Sequence, residues 1–247
     1  MIAFTRRAFI LELLEKKGIV SIKDAAKELG VAEITIRRDF EKLETEGKLK
    51  RVHGGAATPG SLDAAELTMT SKLPQNIDGK EKAAQKAASL VQAGESIFID
   101  GGTTMVPLAA HLLKHRVRIV TYNTMILQQA YRVTAEIILI GGEYKPHYNM
   151  SVGSLAQEML KQFYFDRAFF SCAGIDAHRQ IVYTTEHESL HMKKIAMENA
   201  KENHLLADSS KFSKQGFLKF CDTATFESII TDELTEEARL LENIAVS

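Results

Sequence analysis

The chain of 247 residues carries 31 Lys and Arg against 32 Asp and Glu, a formal net charge of −1, and 45% of it is hydrophobic. That length and apolar content allow a large core and two domains, and they exclude a disordered chain or one that binds polyanions by bulk charge. Two cysteines without CxxC spacing, Cys172 and Cys221, argue against a disulfide framework or structural zinc and for a reducing cytoplasm, and no apolar run approaches the ~18 residues of a membrane span.

The first element, Met1 to Gly18, places Arg6 and Arg7 ahead of an apolar stretch. Glu12 and Glu15 interrupt that stretch and no small-residue cleavage site follows, so it reads as an amphipathic helix and not as a signal peptide. From Val20 to Asp39, two short helical patterns are joined by a turn at Gly30. Ile36, Phe40 and Leu43 have the i, i+4, i+7 spacing of a core-facing stripe, while Ile34, Arg38, Glu41 and Lys42 point the opposite way, flanked by Thr35 and Arg37. An apolar back and a basic front are what the second helix of a helix-turn-helix needs in the major groove. Gly47 to Ala56 then alternates Leu49 and Val52 with Lys48, Lys50 and Arg51 and ends at Gly54-Gly55, the pattern of a small basic hairpin. Residues 1–60 have a charge balance of +3 and the remainder −4, which fits a DNA-binding head on an acidic body.

Thr35-Ile-Arg-Arg-Asp39, Leu43, Gly47-Lys-Leu49 and Arg51-Val-His-Gly-Gly-Ala56 closely resemble the winged helix-turn-helix of the DeoR family of bacterial sugar-metabolism regulators. The resemblance implies a double-stranded DNA operator as partner, touched by Glu33, Ile34, Thr35, Arg37, Arg38, Lys42, Lys48, Lys50, Arg51 and His53. The family usually has Ser where this chain has Ala32; losing that hydroxyl should weaken the helix cap by about 1 kcal/mol.

Domain boundaries follow from the change of pattern: a head over residues 1–57, a linker over 58–77 containing Thr58-Pro-Gly-Ser61 and Leu73-Pro74, and a second domain over 78–247. In that domain helices are expected at Lys80–Val91, Met105–Leu113, Met125–Arg132, Leu155–Gln162 and Glu188–Lys201. Strands are expected at Ser96–Asp100, Arg118–Thr121, Glu136–Ile140, Arg167–Ala173, His204–Ala207 and Ser228–Thr231. Short apolar strands alternating with helices indicate an α/β domain with a mainly parallel sheet.

Ligands of such a sheet sit at the carboxyl ends of its strands. The residues there are Asp100-Gly101-Gly102-Thr103-Thr104, Tyr122-Asn123-Thr124, Gly141-Gly142-Glu143, Gly174-Ile175-Asp176 and Asp208-Ser-Ser-Lys211. Gly-rich, hydroxyl-bearing loops opening onto helices suit a phosphate, although strand-to-helix turns favour these residues anyway. These loops resemble the carboxy-terminal sensor domain of the same family, whose fold is similar to that of ribose-5-phosphate isomerase. The resemblance implies a phosphorylated-sugar effector. Asp100 to Thr104 would hold phosphate or sugar hydroxyls, and Tyr122, Asn123, Thr124, Gly141 and Gly142 would line the pocket. Ser151, Gly153, Asp176 and Glu188 would complete it, and Lys211 would pair with the ligand's charge. Where the family often has Thr-Asn-Ser this chain has Tyr122-Asn123-Thr124, and where it usually has Gly this chain has Gln180.

His187-Glu-Ser-Leu-His191 fits the H-E-x-x-H signature of zinc metalloproteases, with Glu202 or His204 as the third ligand such a site requires. The family resemblance accounts for the segment without metal, since it places Glu188 and Lys193 at sensor positions; no metal and no cofactor are expected. The function expected is a transcriptional regulator, a repressor of sugar-metabolism genes. The alternative is a phosphosugar isomerase fused to a DNA-binding head, with Asp100, Glu188 and Lys211 as acid–base candidates. One winged helix makes few contacts, so a homo-oligomer, dimer or tetramer, is expected on paired half-sites.

Overall fold

The computed structural model describes residues 3–17, 19–52, 55–57, 69–131 and 133–247. They form two compact units, Met1–Thr68 and Met69–Ser247.

In the first unit, helices α1 (Ala3–Lys17), α2 (Ile22–Leu29) and α3 (Glu33–Thr45) accompany three short strands, β1 (Ile19–Ser21), β2 (Lys50–Val52) and β3 (Gly55–Ala57). The strands are antiparallel in the order β1-β3-β2, with Lys50 opposite Ala57 and Val52 opposite Gly55. Gly55 has no room for a side chain, because a Cβ there would lie 2.5 Å from the Val20 carbonyl oxygen. Ile10, Leu14, Val20, Ala25, Ile36, Phe40, Leu43 and Leu49 close the core. The stripe read from the spacing of Ile36, Phe40 and Leu43 is buried as expected.

The second unit opens with α4 (Met69–Lys72) and α5 (Ile77–Ala88). Of the expected linker 58–77, residues 58–68 lie outside the described residues. Residues 69–77 belong to the second unit: the Met69 amide donates to the His147 carbonyl at 3.0 Å, and Lys80 Nζ donates to the Lys72 carbonyl at 2.6 Å. There follow β4 (Ser96–Ile99), α6 (Met105–Leu112), β5 (Arg118–Thr121), β6 (Glu136–Leu139), β7 (Glu143–Lys145), β8 (Met150–Val152) and α7 (Ser154–Leu160). The rest comprises β9 (Phe165–Phe170), β10 (Gly174–Asp176), β11 (Ile181–Thr184), α8 (His187–Glu198), β12 (Ala200–Leu206), β13 (Leu218–Asp222), β14 (Ser228–Thr231) and β15 (Ile244–Val246).

Seven strands form one parallel sheet in the order β15-β14-β12-β9-β4-β5-β6. Strand alternation sends Ile97, Ile99, Phe169 and Leu206 to a face covered by Ala83, Ala84, Ala87, Leu108 and Leu112 of α5 and α6. Phe98, Ala168, Phe170 and Leu205 go to the other face, against Leu160, Met192 and Ala196 of α7 and α8. The result is a three-layer α/β domain with a mainly parallel sheet.

Two features depart from the sequence reading. The helix expected at Met125–Arg132, of which Arg132 lies outside the described residues, is not an α-helix over Met125–Tyr131; Thr124–Gln129 is a 3-10 turn started by the Asn123 side chain, which accepts from the Met125 amide at 3.1 Å. A small antiparallel sheet, β10-β11-β13, and the hairpin β7-β8 were not anticipated. Gln180, where the family resemblance led to an expected Gly, turns the β10–β11 hairpin at φ 54, so that departure concerns backbone strain in a turn.

Candidate functional site

The head builds its reading face from the turn outward. Ser21 caps α2 by accepting from the Asp24 amide at 3.0 Å, and Gly30 ends it at φ 62, which a glycine adopts without cost. The chain re-enters helix at α3, whose N-cap Ala32 makes no side-chain hydrogen bond. Asp39 is only 4% exposed. It accepts from Arg6 Nε and, at 3.2 Å, from Arg7 Nε, pinning α3 to α1 across more than thirty residues. The sequence reading missed this role; the signal was an acid in register with Ile36 and Leu43, facing an otherwise unexplained pair of arginines.

With α3 fixed, Ile34, Arg38, Glu41 and Lys42 stand on the solvent side as expected, and Ile34 is 58% exposed. An apolar side chain held out in water here suits a thymine methyl. Arg38 and Lys42, one turn apart, have no ion-pair partner among the described residues. Arg37 lies 3.8 Å from Glu33 at exposed i, i+4 positions, and Lys48 pairs with Glu46 at 2.9 Å. Thr35 is half-buried at the edge of the face. His53 and the side chains of Lys50 and Arg51 lie outside the described residues.

In the sensor, the order of strands sets the place of the site. The chain runs outward from β4 through β5 to β6, then resumes on the other side of β4 with β9, β12 and β14. The loops after β4 and β9 therefore diverge at a topological switch point, the position where open parallel sheets bind ligands. Asp100 follows β4 there and is fully buried. Its Oδ2 accepts from Lys193 Nζ, from the Ser171 amide at 2.9 Å and from Ser171 Oγ at 2.5 Å, while its Oδ1 accepts from the Tyr122 hydroxyl at 2.5 Å. Burial acts to raise the Asp100 pKa, but the Lys193 charge and these hydrogen bonds outweigh it and hold the carboxyl below its ordinary value. Burial, then the neighbouring Asp100 charge, pushes Tyr122 well above the usual phenol range.

This network engages three of the expected residues within the protein itself. Both carboxylate oxygens of Asp100 already accept hydrogen bonds from the protein. Tyr122 is spent between Asp100 and Ser189, whose Oγ lies 3.2 Å from its hydroxyl. Asn123 is buried and donates to the carbonyls of Asp100 and Gly102, both at 3.2 Å. All three hold the loop in shape. Asp176 is also placed elsewhere: it accepts from the Arg179 amide at 3.0 Å inside the β10–β11 turn.

What the loop leaves unpaired is its backbone. Gly102, Thr103 and Thr104 precede α6, and no protein acceptor among the described residues takes their amide N–H groups. A side chain at Gly102 would collide with Ser171, so only glycine brings the two diverging loops together. Beside them, the β7–β8 hairpin is tied to the end of β5: Thr124 donates from its amide and its hydroxyl to the Asn149 carbonyl, each at 2.9 Å, and the Ser151 amide donates to the Tyr122 carbonyl at 2.9 Å. Gly142 lets Val152 and Ala156 approach, since a Cβ would lie 2.5 Å from the Val152 oxygen; Gly141 is exposed before it and Gly153 caps α7 at φ 97.

Between this hairpin and α8 lies a cavity of about 170 Å³ lined by Lys145, Tyr148, Met150, Val152, Glu186, Glu188 and Ser189. Its floor joins the Asp100 network through Ser189 and Tyr122. Lys145 pairs with Glu143 at 2.7 Å, and that bond, with Glu188 nearby, raises its pKa. Lys211 lies on the same edge of the sheet, in the loop after β12.

His187 and His191 are both exposed on α8. Of the downstream residues, Glu202 pairs with Arg167, and His204 stacks on Phe169 and meets Ser228 Oγ at 2.9 Å. Among the described residues no group of three or more His, Cys, Asp or Glu is placed to hold a metal ion, and no helix is long and apolar enough to cross a membrane. Ser171 and Ser189 were not among the expected site residues; Lys193 was expected at a sensor position, but not as the partner of Asp100. That role was discoverable from a lysine four positions after Ser189 on the core-facing side of a helix.

Two family models match: a DeoR-like helix-turn-helix domain over residues 6–61 and a DeoR C terminal sensor domain over residues 75–233. The chain is 35% identical over 229 residues to a lactose phosphotransferase system repressor of Lactococcus lactis subsp. lactis, covering 90% of this chain and 88% of that protein. It is 33% identical over 227 residues to the protein of the same name from Streptococcus mutans serotype c, covering 90% and 89%. Among solved structures, ribose 5-phosphate isomerase A of Methanocaldococcus jannaschii aligns at 20% identity and a TM-score of 0.43, over 57% of this chain and 56% of that one; that likeness is too remote to bear on function. With a helix-turn-helix head and a sensor domain matched in series, the chain belongs to the DeoR family of DNA-binding transcriptional regulators.

Proposed function

We propose that this regulator is a repressor of sugar-metabolism genes whose grip on its operator is released by a phosphorylated sugar. The sugar binds along the strand-end crevice between the Gly101–Thr104 loop and the Asp208–Lys211 loop. The observation that carries the reading is the set of unclaimed amides at Gly102, Thr103 and Thr104, at the switch point and ahead of a helix, which is the arrangement that attracts a phosphate. Lys211 adds a countercharge, and the cavity beside Glu188 offers acceptors for sugar hydroxyls. The relatives' names, which speak of repression of a lactose phosphotransferase system, support a sugar as the signal.

The isomerase reading is disfavoured by Asp100. A general acid or base must reach the proton that it transfers, and this carboxylate is fully buried and already accepts from Lys193, Ser171 and Tyr122. The protein therefore senses its ligand without turning it over. A thermal-shift screen of sugar phosphates against the unphosphorylated sugars tests the reading, because a ligand specific for the folded state raises the melting temperature. Stabilisation by phosphorylated members alone is expected; stabilisation by free sugars alone would refute it.

A further inference from the structure

The ends of β12 and β14 hold a second concentration of charge. Lys80, 3% exposed, donates to the carbonyls of Lys72 and Leu73 at 2.6 and 3.3 Å and has no ion-pair partner among the described residues. An ammonium has three donors, so one remains. Burial first, then Lys211, Lys214 and Lys72, press its pKa down to about 8 against the pull of Asp208. Lys214 is lowered in turn by burial and by Lys211. The negative charge present does not answer this. Asp232 is occupied by the Ser209 amide at 2.7 Å, with Ser209 Oγ and Thr231 Oγ1 each at 3.4 Å. Asp208 is 1% exposed; its Oδ1 accepts from Asn76 Nδ2 and from the amide and hydroxyl of Ser210, but its Oδ2 is buried with no donor among the described residues. A buried carboxylate oxygen left unpaired is costly. A ligand that brings an anion to the lysines and a hydroxyl to Asp208 removes both deficits.

Sheet order relates this place to the phosphate loop. β9 lies between β4 and β12, and neighbouring strands are about 4.8 Å apart, so the two loops open roughly 10 Å from one another. Cys172, just past the end of β9, is half-buried between them: desolvation pushes its thiol up to about 12, and it feels Lys211 and Asp208 as well as Lys193 and Asp100. A six-carbon sugar with a phosphate at each end spans roughly that distance by ordinary covalent geometry.

We propose that the effector carries two anionic groups, one at each end, and belongs to the class of sugar bisphosphates. One phosphate sits on the Gly102–Thr104 amides, the second on Lys80, Lys211 and Lys214, and a hydroxyl between them donates to Asp208 Oδ2. This rests on the effector reading above. The test is calorimetric titration of the full chain with fructose 1,6-bisphosphate, fructose 1-phosphate and fructose 6-phosphate. The bisphosphate binds at least about tenfold more tightly than either monophosphate, as charge-assisted contacts at a second anion require. In Lys214→Gln, an exposed position that does not threaten folding, and in Lys211→Gln, that ratio falls towards one. A monophosphate that binds as tightly as the bisphosphate, or a ratio untouched by both substitutions, overturns the second subsite and leaves the effector reading standing. If no phosphorylated sugar binds, the effector reading itself is overturned, and this inference falls with it.

Discussion

Asn76 and Asp208, 132 positions apart in the chain, are joined by a hydrogen bond of 2.9 Å from Asn76 Nδ2 to Asp208 Oδ1. Asn76 stands at the N-cap of α5 in a left-handed conformation, φ 50, yet its side chain does not cap the helix. It reaches across to the loop that carries Lys211, donating to Ser210 Oγ as well at 2.8 Å. The segment that leads in from the head is thus fastened to one wall of the proposed pocket. A ligand shifts an equilibrium only through contacts that differ between two states, and this bond is where such a difference would reach the linker side.

Asn76→Gly keeps the backbone conformation, which glycine adopts freely, and removes the bond. The expected variant still binds the effector, with a melting-temperature rise like that of the wild type, but its operator affinity no longer responds. Gel-shift titrations with and without effector decide it; a normal response in Asn76→Gly would dissociate this bond from signalling.

Arg38 faces solvent with no ion-pair partner among the described residues, so Arg38→Ala should cost about 1–3 kcal/mol of operator binding and relax preference at one base pair. Lys50→Ala on β2 should weaken all sequences alike and lower the salt slope by roughly one. Binding measured across single-base operator variants separates the two behaviours. Uniform loss in Arg38→Ala would reassign that arginine to a phosphate.

The Asp100–Lys193 pair is buried on both sides, 0% and 2% exposed. Lys193→Met leaves an uncompensated carboxylate and should destabilise the sensor by about 3–5 kcal/mol, read from urea unfolding. Because the folded Asp100 pKa lies below its unfolded value of about 3.9, the contribution of this group is complete above about pH 4 and is lost as pH falls through the folded pKa. A Lys193→Met protein that matches wild type at pH 7 would contradict that account.

Most of the α/β frame was legible because β-branched runs mark strands cleanly: Arg118–Thr121 and Ser228–Thr231 occupy the residues expected. The β10-β11-β13 sheet was not, since its strands are three to five residues long and carry no clear alternation. The site was legible by position and not by role. Asp100 stood out at the end of a strand, but Ser171 and Lys193, which claim its carboxylate, lie 71 and 93 residues away. Lys80 was hidden for the same reason, appearing in sequence as one of several lysines on a polar helix.

Lys80 loses its proton as pH rises through about 8. A phosphate with its second pKa near 6 is already dianionic there. Affinity for a bisphosphate should therefore fall between pH 7 and pH 9, while affinity for a monophosphate that uses only the amide loop changes less. Titrations at the two pH values check this; equal falls for both ligands would remove Lys80 from the site.

A two-fold pair of heads is needed to read paired half-sites, and we expect the full chain to assemble as a dimer or tetramer. Sedimentation velocity at micromolar concentration should show no monomer boundary, and a clean monomer would refute the assembly.

In the proposed mechanism a sugar phosphate held at the strand ends of the sensor controls the grip of the head on DNA. Fluorescence anisotropy of labelled operator, titrated with the full chain at fixed salt with and without the stabilising sugar phosphate, tests it most directly. The predicted result is a loss of operator affinity of about tenfold or more with effector, absent in Lys211→Gln. Identical affinity with and without a compound that demonstrably raises the melting temperature would contradict it.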